Sequence, residues 1–139
     1  MEVFSLTIPM PYYKKNSKAL FSLNVYRNAK YFLQNKFKKE YGDIIKAELL
    51  KFDSPKINKL SIRYVLHFKP TSSGIPRRVD LSNIASVVDK TFCDCLQELS
   101  WVDDDDISHI QKITYQAEPY SSKEYIEVII NANMTGEAK

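Results

Sequence analysis

Between Leu60 and Phe68 the chain alternates with a period of two: Leu60, Ile62, Tyr64, Leu66 and Phe68 are interleaved with Ser61, Arg63, Val65 and His67. In a strand that spacing puts the first set on one face and the second on the other. The segment therefore calls for a sheet with one covered face, and the cover is written on either side of it. From about Asn28 to Lys51 there is no Pro and a single Gly, and Ala29, Leu33, Phe37, Tyr41, Ile44/Ile45 and Leu49 recur at helical spacing. A second helical pattern, Leu81 to Ser100, carries Ile84, Val87, Val88, Thr91/Phe92, Cys95, Leu96 and Leu99 on one stripe. Asp80 or Ser82 is placed to cap its first turn.

Three further strands complete the pattern. Val3 to Ile8 is closed by Pro9 and Pro11, and Ile107 to Tyr115 and Glu124 to Ile130 are joined around Pro119 and Tyr120. The polar tail from Asn131 reads as frayed. The order β-α-β-α-β-β predicts an α+β fold, one domain over residues 1–139, with two helices on one face of a mixed sheet. With 139 residues, 44% of them apolar, one core forms without disulfides or structural metal. Cys93 and Cys95, two apart on a helix, point to different faces and read as reduced packing residues. No apolar run approaches the roughly 18–20 residues of a membrane span, and the first residues lack a secretory pattern. The expectation is a cytosolic protein of a bacterial or phage-infected cell, with no membrane partner and no organic cofactor.

Charge divides the chain. Residues 1–78 hold 16 Lys/Arg against 5 Asp/Glu, a net +11, whereas residues 79–139 hold 4 against 12, a net −8. Basic residues interleaved with aromatics suit a polyphosphate, and concentrated carboxylates suit a divalent cation. A solvated surface of uneven polarity accounts for the same numbers. The basic groups are Lys14 and Lys15 in the loop after the first strand, Lys30, Lys36, Lys38, Lys39 and Lys46 on the polar face of the first helix, and Arg77 and Arg78 before the second. His67 falls on the polar side of its strand with no ligand at metal spacing, and reads as a packing histidine.

The acidic groups are Asp80, at the start of the second helix, and the run Asp103 to Asp106 just past its end. Along a straight helix these lie about 30 Å apart, so they share one metal only if the run folds back. Four adjacent aspartates repel one another, and a divalent cation or exposure to solvent would relieve them.

The stretch Arg77-Arg78-Val79-Asp80-Leu81-Ser82-Asn83, then Asp89-Lys90-x3-Asp94-x-Leu96, then Trp101-Val102-Asp103-Asp104-x2-Ile107, resembles the signature of the RusA family of Holliday-junction resolvases. That signature is a basic-D-x-D-N opening, a helix with K-x3-D-x-L and a closing hydrophobic-x-D-D-x2-hydrophobic. Leu23-Asn24-Val25-Tyr26-Arg27 and the Lys-rich helix after it resemble the family's N-x-Y-R segment. The resemblance implies a homodimeric, Mg²⁺-dependent endonuclease, with Mn²⁺ as a possible substitute, that cuts paired strands at four-way DNA junctions. It implies Asp80 and Asp104 as catalytic aspartates, Lys90 as a catalytic lysine, and a metal set of Asp80, Asp94, Asp103 and Asp104. DNA contacts would fall to Asn24, Tyr26, Arg27 and the basic residues above. Two departures stand out: Ser82 replaces the second aspartate of D-x-D-N, and Lys90 lies one helical turn further from Asp80. Asp89 or Asp94 can replace the missing carboxylate, Ser82 can hold a water in its place, or the protein binds junctions without cutting them. A protein-interaction module without nucleic acid is the remaining reading.

Overall fold

In the computed structural model, which describes residues 1–12 and 19–135, the elements follow the expected order with one helix added. They are β1 (Glu2–Ile8), α1 (Leu23–Asn28), α2 (Tyr31–Leu49), β2 (Ile57–His67), α3 (Leu81–Glu98), β3 (Ile110–Glu118) and β4 (Tyr125–Met134). The four strands form one mixed sheet in the order β1-β4-β2-β3, with β2 and β3 parallel and the other pairs antiparallel. A parallel pair needs a long crossover, and here α3 supplies it. The alternation on β2 buries Leu60, Ile62, Tyr64 and Leu66 together with Leu6 and Ile8 of β1 and Ile126, Val128 and Ile130 of β4. The helices cover that face. Among the described residues no helix is long and apolar enough to cross a membrane.

Several boundaries differ from the sequence reading, and three of them have a visible cause. The long helix expected from Asn28 to Lys51 is α2, which starts three residues later, and the added helix α1 precedes it, the two being separated where Ala29 and Lys30 adopt extended backbone. No Pro or Gly marks the break. It is held by Gln34, whose side-chain amide donates to the Tyr26 carbonyl at 2.7 Å, and by rings packed across it: Tyr26 on Phe21 and Phe37, and Phe21 stacked on Phe37 at 4.2 Å. Of the tail expected to be frayed from Asn131, Asn131 to Met134 is strand, and residues 136–139 lie outside the described residues. Asn131 and Ala132 pair with both β1 and β2, and Ala132 is buried. Strand β3 begins at Ile110 rather than Ile107, because the preceding turn is closed by Asp106, whose carbonyl accepts from the His109 and Ile110 amides.

α3 ends in a Schellman motif. The Ser100 amide donates to the Gln97 carbonyl at 3.0 Å and the Trp101 amide to the Leu96 carbonyl at 2.9 Å, with Ser100 left-handed at φ 60°. Trp101 is buried among Phe4 and Phe52, at centroid distances of 5.4 and 5.9 Å. That anchor reverses the chain at the end of α3 and sets the path of the acidic run.

Candidate functional site

Asp80 caps α3. Its Oδ1 accepts from the Ser82 amide (3.1 Å), the Ser82 hydroxyl (3.0 Å) and the Asn83 amide (3.3 Å). A carboxylate is favoured there because it satisfies amides that the first turn leaves unpaired and faces the positive end of the helix dipole. Asp80 is exposed, and its Oδ2 enters no bond among the described residues. It lines a groove of about 270 Å³ with Ser22, Arg77, Arg78 and Asn83.

The two arginines in this groove are not equivalent. Arg77 Nη1 bonds both oxygens of Glu124, at 2.7 and 2.9 Å, and the two side chains are only 24% and 10% exposed. Glu124 also accepts from the Tyr12 hydroxyl and the Lys69 amide. Burial and the neighbouring Glu124 push the Tyr12 hydroxyl up to about 12. Arg77, expected on phosphate, is paired with Glu124 and so ties the loop that delivers Asp80 to the start of β4. Arg78 is exposed and has no partner among the described residues.

Ten residues further along α3, about 15 Å along its axis, lies a second charged group. Lys90 Nζ reaches Asp94 at 3.2 Å and Asp105 at 3.8 Å. The acidic run therefore does fold back, but to the middle of the helix rather than to its start. The hydrogen bond and charge of Asp94, reinforced by Asp105, hold the Lys90 ammonium above its ordinary pKa. Beside it, Asp89 accepts from the Tyr64 hydroxyl at 2.7 Å and the Cys93 thiol at 3.4 Å. Burial raises the Asp89 carboxyl above the usual range, and it pushes the Cys93 thiol up as well.

The four aspartates of the run are stabilised unequally by the protein itself. Asp104 accepts from the Asp105 amide, Asp105 meets Lys90, and Asp106 accepts from the Ser108 amide and hydroxyl, which lowers its pKa. Asp103 is exposed, without a partner among the described residues. The expected set of Asp80, Asp94, Asp103 and Asp104 is not drawn together in the chain, and among the described residues no three His, Cys, Asp or Glu side chains are grouped to hold a metal ion. Asp105, rather than Asp104, is the run's contact with Lys90. Sequence spacing carried no signal for that, because the contact depends on how Trp101 anchors the turn.

The expected DNA contacts also divide. Lys14 and Lys15 lie outside the described residues. Tyr26 is half-buried in the aromatic cluster, with Lys38 Nζ 5.8 Å from its ring centroid. Lys36 and Lys39 make exposed pairs with Glu40 and Asp43. Asn24, Arg27 and Lys30 are exposed, and neither Arg27 nor Lys30 has an ion pair among the described residues. His67, read as a packing histidine, is held by Ser121 (2.9 Å) and Glu127 (2.6 Å) and stacks on Tyr125. Those partners come from a distant strand and loop, which spacing along β2 does not reveal. Neither a protein-family model nor a curated protein matches the chain.

Proposed function

We propose that the chain is a Mg²⁺-dependent, structure-selective endodeoxyribonuclease of the RusA-like kind, acting as a homodimer on four-way DNA junctions, with the groove at Asp80 as its cleaving centre. The observation that carries this reading is an exposed carboxylate fixed by the helix start through one oxygen, with the other uncommitted, in a groove that also holds the unpartnered Arg78. Mg²⁺ commonly takes one or two protein carboxylates and completes its shell with water and phosphate oxygens. Asp80 fits that demand, whereas the dispersed carboxylates do not fit an all-protein cage. When bound, the ion polarises a phosphodiester and makes water a better nucleophile.

The chain's own residues do the rest. The bonds from Ser82 and Asn83 hold the Asp80 carboxylate in one orientation, so that its Oδ2 is presented without a search over rotamers. Arg78 supplies a guanidinium for a phosphate in the same groove, in the fork geometry that suits it. Lys90, about 15 Å away along α3, contacts a different phosphate of the bound strand and is kept protonated by Asp94 and Asp105. Two cuts at a junction of near two-fold symmetry call for two copies of the site. The edge strand β3, whose Ile113 and Tyr115 are left exposed on the helix-bearing face, supports the dimeric part of the reading.

A second reading, a junction-binding protein that does not cut, is favoured by Ser82, whose hydroxyl donates to Asp80 where the family pattern has a second carboxylate. Incubating the protein with an end-labelled four-way junction, with and without Mg²⁺, separates the two. Paired nicks that appear only with the metal support the nuclease. A shifted but intact junction at every Mg²⁺ and Mn²⁺ concentration supports the binder.

A further inference from the structure

The start of α2 presents two adjacent aromatic side chains to solvent, Tyr31 at 78% and Phe32 at 64% exposure. Single exposed apolar residues are ordinary on a protein surface. These two are set apart by their surroundings. Phe32 lines a groove of about 560 Å³ between α1 and α2 together with Val25, Ala29 and Leu33, within the range of ligand-sized clefts. Lys30 and the exposed Asn24 and Asn28 complete its lining, and Arg27 lies on α1 between those two asparagines. Asn28 uses its amide nitrogen on the Asn24 carbonyl at 2.9 Å, while the Asn24 side chain has no partner among the described residues.

We infer that this corner binds an unpaired nucleobase, stacked on Phe32 or Tyr31, with the flanking phosphates on Arg27 and Lys30. An aromatic ring stacks on any base through its π-face, and cations beside it track the backbone, which together make a sequence-tolerant single-strand site. The free amide of Asn24 adds a donor and an acceptor for a base edge. A second copy of the chain is the poorer occupant. An isologous contact sets the same patch against itself, and that would bring two copies of Lys30 into one interface with no carboxylate in the lining to neutralise them. The inference rests on the proposed DNA-binding function and adds to it a place for the bases that a junction leaves unstacked or frayed.

The test uses the intact protein and three DNA probes: an oligothymidine with one central 2-aminopurine, a blunt duplex with the same fluorophore, and a four-way junction. Wild-type protein should change the 2-aminopurine emission of the single strand. Phe32→Leu, which keeps apolar bulk but removes the ring, combined with Tyr31→Ala should weaken single-strand binding by about five- to a hundredfold while duplex affinity stays within twofold. Phe32→Trp should restore it. Both aromatic residues are exposed, so the variants are expected to fold, and their circular dichroism checks this. Equal single-strand affinity in the Leu/Ala variant and wild type overturns the inference while leaving junction binding in place. A wild-type dimer that the same variant dissociates on sedimentation overturns it in favour of a self-contact. Failure of wild type to bind any of the three probes overturns both the inference and the function on which it rests.

Discussion

The two charged regions of α3 are built in opposite ways. At its start, Asp80 is held by bonds from residues two and three positions on, one of its oxygens is left over, and the nearest unpartnered charge is a cation, Arg78. In its middle, Lys90 is paired with both Asp94 and Asp105, and Asp89 is held against the core by Tyr64. A carboxylate already paired with an ammonium has less to offer a metal. Abundance of charge is therefore a poor guide to the proposed reacting centre. The uncompensated group in a groove is the better one, although the acidic run dominates the sequence.

The largest effect that sharpens this comparison concerns the loop before Asp80. Arg77→Ala leaves Glu124 buried without its cation and should destabilise the fold by about 3 kcal/mol, read by chemical denaturation. An unchanged stability, with a salt dependence of DNA binding lowered by about one unit of slope, would instead make Arg77 a phosphate contact.

Next comes the middle of α3. Lys90→Ala should reduce junction cleavage by less than about tenfold, since removing one phosphate ligand far from the cut weakens positioning only, and should change stability by no more than about 0.5 kcal/mol. A drop of about a hundredfold or more, the scale of a missing proton donor, would move the reacting centre to Lys90 and break the comparison.

A smaller change tests the anchor of the acidic run. Ser100 holds a left-handed φ of 60°, which disfavours side chains by about 1–2 kcal/mol. Ser100→Gly should stabilise the protein by about 1 kcal/mol, less than the full relief because glycine also loosens the unfolded chain. A loss of stability in thermal melts would show that the Ser100 side chain contributes more than its backbone strain removes.

The smallest effect lies at Asp89. Burial raises its pKa in the folded protein above the ordinary 3.8, so its contribution is fully present below that value and is lost as the pH rises through the folded pKa. Asp89→Asn keeps an oxygen for the Tyr64 hydroxyl and has no proton to lose. The variant should gain on wild type as the pH rises from about 4 towards 7, followed as the difference in melting temperature, and a difference that does not vary with pH would refute the assignment.

The legible and illegible parts of the chain follow the same division. The period-two run of β2, the stripe of α3 and the Asp80 cap are local properties, and each was visible in the sequence because the residues that decide it are within a few positions. The break between α1 and α2 was not visible, because Gln34 and the Phe21–Tyr26–Phe37 rings act across it while its own residues favour continuing the helix. The pairing of Arg77 with Glu124 was not visible either, because its partner lies 47 residues away. The same is true of Asp105, whose approach to Lys90 is set by where Trp101 is buried.

The most direct test of the account is single-turnover cleavage of an end-labelled four-way junction by wild type and Asp80→Asn across a Mg²⁺ titration, with binding measured in parallel. The account predicts metal-dependent paired cuts by wild type, a loss of about 10²–10³-fold in the variant, and junction affinity that is retained or tighter because a charge repelling phosphate has been removed. Cleavage by Asp80→Asn at the wild-type rate, or no cleavage by wild type at any Mg²⁺ or Mn²⁺ concentration, would contradict it.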